Sequence, residues 1–556
     1  MTDTEKLIVK NGLVYDPLND IEGENKDILI EDGLIVENFS SQNDVKEIDV
    51  SGKTVIPAAL DIHSHIGSQQ VNWARLLGSK NKIFINTWKR LTLETIARDY
   101  ISNGYTFVLD ANVYPSLSRQ AILNFSHLPV LDTGMLLNVS NLWALEDEYQ
   151  RGKIEELSYF LSDLLSTCKG FGFKVYNPFE AETWNFKILR ENIEQKGKLY
   201  NFTPLDVYKA LTNANEVLKL PHSLHAHIEG YEDKVGMNNL KIILDNIDFE
   251  SIKKEQKNPM ERDQVIHLAH ANAYGLEGDT SELIAILNSN NDMDLDLGMI
   301  GFDEINPIIT SDRRLATRLM EGQENYYKVI RSANEFEGDS FVGLRKFDKD
   351  DPTHCTLWAN AIELALNLKN KWQVQLSFNY PHYSHINNLP TFASLLMSHS
   401  MRQDFMKDMN DGFLKQTPLN GNEKIINFNE FIIITRASPA KSLGFAKIKG
   451  SLAPGADGDL NILNVDMNQI DPSKDYDQLE NALRDIEYTI KNGQIIKKGN
   501  KIDLERKGKI FWTEGMVDKN TRLEFMKKKK IFYQKYYSIF YESLENSVKE
   551  KFLRKI

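Results

Sequence analysis

An apolar run over Val55–Leu60 ends in Asp61, His63 and His65. Side chains two residues apart on a β-strand point to the same face, so a strand here projects both imidazoles together from its carboxyl end. Two imidazoles on one face make half of a metal site. Alone, such a pair is more simply explained by chance or by hydrogen bonding, so the metal-site interpretation depends on matching ligands later in the chain.

Size and composition narrow the classes of protein to consider. The chain has 556 residues, no apolar run long enough to span a bilayer and a polar start, so we expect a cytoplasmic protein without a membrane partner. This length predicts one large catalytic domain with smaller parts beside it. The net charge of −13 disfavours nucleic acid as the main partner.

Short alternating strands with Asn-Gly and Asp-Gly turn signals occur near both ends of the chain. One set precedes residue 55, with predicted strand ends at Asn11-Gly12 and Asp32-Gly33. A second set covers Gly450–Leu463 and Tyr488–Ile496 and includes the turn signal Asn492-Gly493. Because pieces of two or three strands bury too little surface alone, the two sets are expected to pair. We therefore predict a small β-sandwich built from residues 1–54 and 446–506, with residues 55–445 inserted between its halves.

Between these two sets, apolar strand-like runs alternate with helical patterns, which is typical of parallel β/α architecture. Several runs end in polar residues, at the edge of a barrel where catalytic groups collect. They cover Tyr105–Asp110, Gly172–Tyr176, Ser223–His227, Val265–His270 and Val374–Asn379. The prediction is an α/β protein with a (β/α)8 TIM-like barrel over residues 55–445.

The last part of the chain, residues 507–556, is rich in Lys, Phe and Tyr and centres on Met526–Tyr533. Its pattern predicts a C-terminal helical extension with an aromatic stripe. We expect the extension to cover a domain or subunit interface; nucleic-acid or membrane binding is the less favoured alternative.

Five strand-end residues could together hold a metal centre: His63, His65, Lys174, His227 and His270. Imidazoles suit Zn²⁺, and two close cations need an anionic bridge. Lys174 lies in an apolar run, which disfavours free exposure, and a neutral amine that captures carbon dioxide becomes such a bridging anion. We predict two Zn²⁺ ions bridged by carboxylated Lys174, with His225 and His267 behind the ligands as orienting partners.

The order and spacing of these residues resemble the amidohydrolase superfamily, whose members place a one- or two-metal centre in a (β/α)8 barrel flanked by a β-sandwich. More specifically, the chain resembles the A subunits of formylmethanofuran dehydrogenases and of bacterial formyltransferase/hydrolase complexes. The segments that carry this resemblance are Asp61–Ile66, Val71–Leu77, Lys174–Pro178, Glu182–Trp184, Leu220–His227, His267–His270, Tyr274–Gly275, Thr435–Gly444 and Gly455–Asp459.

The resemblance implies hydrolysis of the N-formyl amide of formylmethylofuran or formylmethanofuran to formate and the free furan cofactor, in one-carbon metabolism. It also implies a hetero-oligomer with a formyltransferase subunit. Because Cys168 and Cys355 are too few for Fe–S clusters, the bacterial, non-redox version fits better. Two alternatives stay open: a hydantoinase- or dihydroorotase-like cyclic-amide hydrolase, and a non-catalytic scaffold subunit of the same complex.

The chain departs from the family pattern after the last predicted barrel strand. Asn379 stands where the resemblance implies an aspartate base, and an amide has no useful basicity. Groups that could replace the base are His382, His385, Glu229 and Asp303. We predict catalytic roles for Asn379 and His382. A second departure is Ile228–Asp233, which stands in place of a glycine-rich turn of the archaeal relatives.

Asn72 and Arg75 follow the first histidine pair closely enough for a loop to carry them to the substrate. The resemblance implies a furan cofactor with glutamate chains, so a basic contact is chemically sensible. We predict that both residues bind substrate. A structural salt bridge of Arg75 is the competing interpretation.

Overall fold

In the computed structural model, two large sheets and one small sheet organise the strands of the described residues. The structure describes residues 5–77, 91–180, 182–183, 188–230, 234–255, 262–276, 280–310, 329–334, 338–546 and 548–556. Within these ranges, no helix is both long enough and apolar enough to cross a membrane.

The first large sheet joins the two ends of the chain. Thr54–Pro57 pairs antiparallel with Leu460–Leu463, with Val55 opposite Ile462. The buried side chains of this sheet form a core of their own. Its nine strands are Lys6–Asp16, Ile21–Glu31, Leu34–Val36, Val45–Asp49, Thr54–Pro57, Leu460–Leu463, Tyr488–Lys491, Gln494–Lys498 and Lys501–Ile502.

Two of the predicted turn signals form hairpins, and one does not. Asp32-Gly33 and Asn492-Gly493 are two-residue loops with positive φ at both positions, as type I′ turns require. Asn11-Gly12 instead lies at a bulge inside one long strand, so the prediction of a strand end there is wrong. The glycine serves close packing, because a Cβ on Gly12 would lie 2.5 Å from a methyl group of Val55.

The second large sheet contains eight parallel strands in sequential order, which form a nearly closed barrel and confirm the predicted fold class. Hydrogen bonds from the Ser377 hydroxyl to Asp61 and to the His63 carbonyl join the last strand to the first. The strands are β1 Ala59–Ser64, β2 Tyr105–Val113, β3 Asp132–Asn138, β4 Gly172–Tyr176, β5 Leu224–His227, β6 Ile266–Leu268, β7 Met293–Gly298 and β8 Val374–Ser377.

Helices follow the barrel strands, and some of them begin at side chains that cap the first turn. Thr203 and Asp206 form a reciprocal capping box, and the Asp351 carboxylate accepts from the first-turn amides of the next long helix. The barrel-region helices are Gln69–Leu77, Leu93–Ser102, Ser118–His127, Glu146–Arg151, Ile154–Cys168, Pro204–Val217, Lys234–Asn246, Phe249–Glu255, Thr280–Ser289, Pro352–Asn367, Leu389–Met397, His399–Met406, Asp411–Leu414, Phe428–Ile432 and Ser438–Ser442.

A three-stranded antiparallel sheet is inserted between β7 and β8. Its strands are Ile305–Thr310, Val329–Asn334 and Gly338–Lys346. Leu344 of the last strand packs against Val71 and Ala74 of the helix that follows β1. The insertion therefore lies beside the segment that carries Asn72 and Arg75.

A buried charge cluster connects the barrel to the first sheet. The Lys449 ammonium is 2.9 Å from Asp132 of β3, 3.0 Å from Asp457 and 2.6 Å from Asp459. Burial alone would raise the pKa of Asp132, but the charges of Lys449 and Lys491 hold it below its usual value. The paired charges thus fix the relative position of the two sheets.

The C-terminal segment contains the predicted helix, Lys519–Tyr536, and the helix Tyr476–Arg484 precedes the segment. Lys529 is buried and pairs with Glu148 at 2.6 Å, which holds the long helix against the barrel. The segment also contributes two short strands, Ile510–Trp512 and Leu553–Lys555, to the edge of the barrel sheet beside β3. The domain boundaries given above stay a prediction.

Candidate active site

His63 and His65 lie at the carboxyl end of β1 and are both buried. Nδ1 of His63 is 2.8 Å from a carboxylate oxygen of Asp296, and Nε2 of the same ring is 3.3 Å from the Lys174 amine. With Nδ1 donating to Asp296, Nε2 keeps its lone pair for a ligand. Nδ1 of His65 is buried and has no hydrogen-bond partner among the described residues.

Asp61, the acid that precedes the two histidines, is held by hydrogen bonds inside the barrel. Its carboxylate accepts from the Tyr100 hydroxyl at 2.6 Å, from the Ser377 hydroxyl and from the His63 amide. Burial raises the pKa of Asp61 to about 7. These bonds fix the end of β1 against β8 and so determine the direction in which both histidines project.

Lys174 lies on β4 with its side chain 1% exposed. Its neighbours in the sheet are Asn138 on β3 and His225 on β5. Burial lowers the pKa of the Lys174 amine to about 7. No carboxylate lies within salt-bridge distance of it in the described ranges, so no ion pair offsets this effect.

His227 and His270 complete the predicted ligand set. Nδ1 of His227 donates to the Asn177 side chain at 3.1 Å. The His270 backbone amide donates to Asp296, and its Nδ1 lies 3.3 Å from the same carboxylate oxygen. The rings of His63 and His270 are 4.2 Å apart, and those of His227 and His270 are 5.8 Å apart. The structure thus brings all five predicted ligands together inside the barrel.

Three observations indicate that the side chains of this site suit a metal centre. Ligand atoms of His63, His270 and Asp296 all lie within 4.8 Å of one another. One nitrogen of His65 is buried without a partner in the described part of the chain. Burial is the main cause that holds the pKa values of the four imidazoles below their usual value, and a metal binds the neutral imidazole. The four are His63, His65, His227 and His270.

Asp296 is a site residue that the sequence prediction missed. It lies on β7, is fully buried, and contacts His63, His267 and His270. Burial would raise its pKa, but the nearby His63 and His270 rings hold the pKa well below the usual value. A signal was present in the sequence, since Asp294 and Asp296 alternate within the apolar run Met293–Gly298.

A second layer of imidazoles lies behind the ligands, where His225 and His267 were predicted. Nε2 of His225 is 3.0 Å from Nδ1 of His63, and its Nδ1 is 3.1 Å from Nε2 of His222. Nδ1 of His222 donates to the Ser442 carbonyl. With Nδ1 protonated on His225 and on His222, each of these two rings donates to the next group away from the predicted ligands. The Nδ1–H of His63 points to Asp296, which at 2.8 Å is the shorter of its two contacts.

Asn379 directly follows β8 in a left-handed conformation, with φ at 51°. Its side-chain nitrogen is 3.4 Å from Nε2 of His270, and its side-chain oxygen is buried without a hydrogen-bond partner in the described chain. His382 is also buried; its ring packs against Tyr383 at a tilt of 33° and lies 6.3 Å from the ring of His65. Both predicted catalytic residues therefore border the ligand set.

The three other base candidates are engaged elsewhere. Nε2 of His385 is 3.1 Å from the Asp99 carboxylate. Glu229 forms an ion pair with the buried Arg190. The Asp303 side chain is 76% exposed and lies 3.5 Å from a surface lysine. Of the four candidates, the structure brings only His382 close to the ligand set.

Asn72 and Arg75 share one face of the helix Gln69–Leu77. The guanidinium donates to the Asn72 side chain and to the Leu91 carbonyl, and its third nitrogen is buried without a partner within the described ranges. No carboxylate among the described residues forms an ion pair with Arg75, which argues against the salt-bridge interpretation. Burial lowers the pKa of the guanidinium, and the nearby Tyr380 opposes this effect.

The match to a family model agrees with this geometry. Residues 133–497 match the model described as the amidohydrolase family, and the chain belongs to that family. Family membership supports a hydrolase.

Two curated relatives match nearly the whole chain. Protein FwdA of Methanocaldococcus jannaschii is 28% identical over 562 residues, which cover 97% of this chain and 96% of the relative. The A subunit of the formyltransferase/hydrolase complex Fhc of Methylorubrum extorquens is 23% identical over 521 residues, with 88% and 89% covered. The resemblance stated from the sequence motifs is thereby confirmed.

A solved structure shares the fold. It is the crystal structure of the formyltransferase/hydrolase complex FhcABCD from Methylorubrum extorquens with methylofuran. The TM-score is 0.85, the identity is 21%, and 99% of each chain is covered.

Proposed function

We propose that this chain hydrolyses the N-formyl amide of formylmethylofuran or formylmethanofuran to formate and the free furan cofactor. It acts as the A subunit of a hetero-oligomeric complex with a formyltransferase subunit. The observation that carries the proposal is the convergence of the five predicted ligands in one buried site of a chain similar to FwdA over 97% of its length.

His63, His65, His227 and His270 would hold two Zn²⁺ ions, and carboxylated Lys174 would supply the anion that offsets their charge. When bound, such ions lower the pKa of water from 15.7 to about 7 and polarise the substrate carbonyl. The chain's own contribution is orientation. Asp296 holds His63, and Asn177 holds His227, each with Nδ1 protonated, so that Nε2 of both rings faces the centre.

His382 and Asn379 share the two roles that the family resemblance assigns to a single aspartate, namely proton transfer and positioning of the substrate amide. The leaving amine needs a proton, and His382 is the buried titratable group beside the ligand set that can carry one. Asn379 has a buried carbonyl oxygen without a partner among the described residues, and this oxygen can accept from a substrate N–H group. Asn379 therefore positions the amide while His382 transfers the proton.

Arg75 supplies the proposed contact to an anionic part of the substrate, and Asn72 orients it. Two donors of the guanidinium are engaged within the chain, which fixes its plane, while the third faces no acceptor in the described ranges. A partly buried guanidinium with no carboxylate beside it in the described ranges loses hydration, and a bound anion would compensate this loss. A carboxylate on the substrate has the required chemistry.

The first test measures formate release. The complex containing the native chain should release formate from the formylated furan cofactor and not hydrolyse hydantoin or dihydroorotate. His63→Ala should reduce Zn²⁺ content and formate release by more than roughly 10- to 100-fold. That range is the usual cost of losing a residue that only hydrogen-bonds to a metal ligand, whereas His63 is itself a proposed ligand. His127→Ala, on an exposed helix end, is the matched control. Undiminished formate release by the His63→Ala complex would instead support the scaffold role.

The second test detects carboxylation of Lys174. Protein purified with labelled bicarbonate and Zn²⁺ should show one carbamate carbon by NMR, and Lys174→Arg should show none and bind less Zn²⁺. Because the amine pKa is about 7, lowering the pH below this value protonates the amine and should slow incorporation of the label. Zn²⁺-loaded protein with an unmodified lysine would contradict the carbamate.

The third test concerns proton transfer. His382→Gln should lower the rate of formate release by about 10²- to 10⁴-fold. His385→Gln should not lower it, because His385 pairs with Asp99 away from the ligands. Adding Asn379→Asp to His382→Gln should recover part of the rate. Full activity of His382→Gln, together with a large gain in the single Asn379→Asp variant, would mean that the native site lacks a proton carrier.

The fourth test concerns the substrate anion. Arg75→Gln should raise KM about tenfold for a carboxylate-bearing substrate and leave kcat unchanged, since the contact is equal in ground and transition states. Arg98→Gln, on an exposed neighbouring helix, is the control. A truncated substrate without carboxylates should show no difference between native protein and Arg75→Gln; an equal loss with both substrates would make the role of Arg75 structural.

A further inference from the structure

One buried carboxylate contacts ligands that come from two different parts of the barrel. One oxygen of Asp296 is 2.8 Å from Nδ1 of His63, which lies on β1. The other oxygen accepts from the backbone amide of His270, directly after β6, and is 3.3 Å from Nδ1 of that ring. Asp296 itself lies on β7 and is inaccessible to solvent.

The Asp296 carboxylate is itself held in place by a further hydrogen bond from His267. His267 bridges two acids, with Nε2 3.0 Å from Asp296 and Nδ1 3.0 Å from Asp294. Asp294 also accepts from the Gln375 side chain on β8, which in turn donates to the Ser438 hydroxyl. All of these groups are buried, so the orientation of Asp296 is over-determined by hydrogen bonds.

We infer that Asp296 is a positioning residue for the proposed metal centre, which sets the orientation of His63 and His270 together. At His63 the carboxylate accepts from Nδ1, which fixes the tautomer in which Nε2 carries the lone pair, and its charge makes the imidazole a stronger ligand. At His270 it holds the backbone amide and lies 3.3 Å from Nδ1 of the ring. Because one carboxylate serves both rings, its loss disturbs two ligands at once. The inference rests on the metal centre of the proposed function and adds the residue that orients it.

Asp294 provides a matched comparison for this role. It lies two residues earlier on the same strand, is equally buried and contacts the same His267. Within the described chain, its hydrogen bonds to His267 and Gln375 lead away from the predicted ligands. A purely structural role for buried acids of this strand would make the two aspartates equivalent, whereas a positioning role distinguishes them.

The experiment measures Zn²⁺ affinity by competition with a chromophoric chelator, together with the melting temperature of the metal-free protein. Asp296→Asn should bind Zn²⁺ about 10- to 100-fold more weakly than native protein. Asp294→Asn should weaken Zn²⁺ binding clearly less, because within the described chain Asp294 reaches the predicted ligands through His267 and Asp296 rather than directly, although both variants lower the melting temperature of the metal-free protein. With Co²⁺ in place of Zn²⁺, the visible absorption spectrum should change more in Asp296→Asn than in Asp294→Asn.

Equal Zn²⁺ affinities of Asp296→Asn and Asp294→Asn, or an unchanged Co²⁺ spectrum in Asp296→Asn, would overturn the inference. If Asp296→Asn does not fold, Asp296→Ser is used, because the smaller side chain leaves room for a bridging water. Failure of the proposed function is recognised separately. A native chain that binds no Zn²⁺ refutes the metal centre, while Zn²⁺ binding without formate release refutes only the substrate.

Discussion

The site depends on keeping several imidazoles neutral and correctly oriented in a barrel core that excludes water. Burial disfavours the charged form of each ring, and an uncharged ring can give its lone pair to a metal. Burial alone does not orient a ring. That is achieved by hydrogen bonds from Nδ1, to Asp296 for His63 and to Asn177 for His227. Burial also lowers the pKa of the Lys174 amine to about 7, so this lysine completes a set of buried bases.

The barrel brings residues from short, separate sequence motifs into one site, because its strands are parallel and in sequential order. The carboxyl ends of β1, β4, β5 and β6 meet at one edge, so residues separated by more than 200 positions in the chain become neighbours. Buried ion pairs hold the scaffold in place. Lys449 and its three aspartates join the barrel to the first sheet, and Lys529 with Glu148 fastens the long C-terminal helix.

Asn379 stands where the family resemblance implies an aspartate. An amide at this position preserves hydrogen bonding but removes a titratable group. The remaining candidates are separated by their partners in the fold, since His385, Glu229 and Asp303 each pair with a charged group away from the ligands. His382 is left beside the ligand set, in a buried position against Tyr383.

The sequence by itself determined the α/β barrel, and it identified the five strand-end residues that are predicted to bind metal. Strand periodicity is local, so the spacing of His63 and His65, and a lysine inside an apolar run, already indicated which side chains point inward. Only the tertiary structure decided that Asp296 touches ligands from two strands, that Asn11-Gly12 is a bulge, and that Arg75 lacks an acidic partner among the described residues. These facts depend on which residues meet across strands and loops, and that is set by long-range pairing rather than by neighbours in sequence.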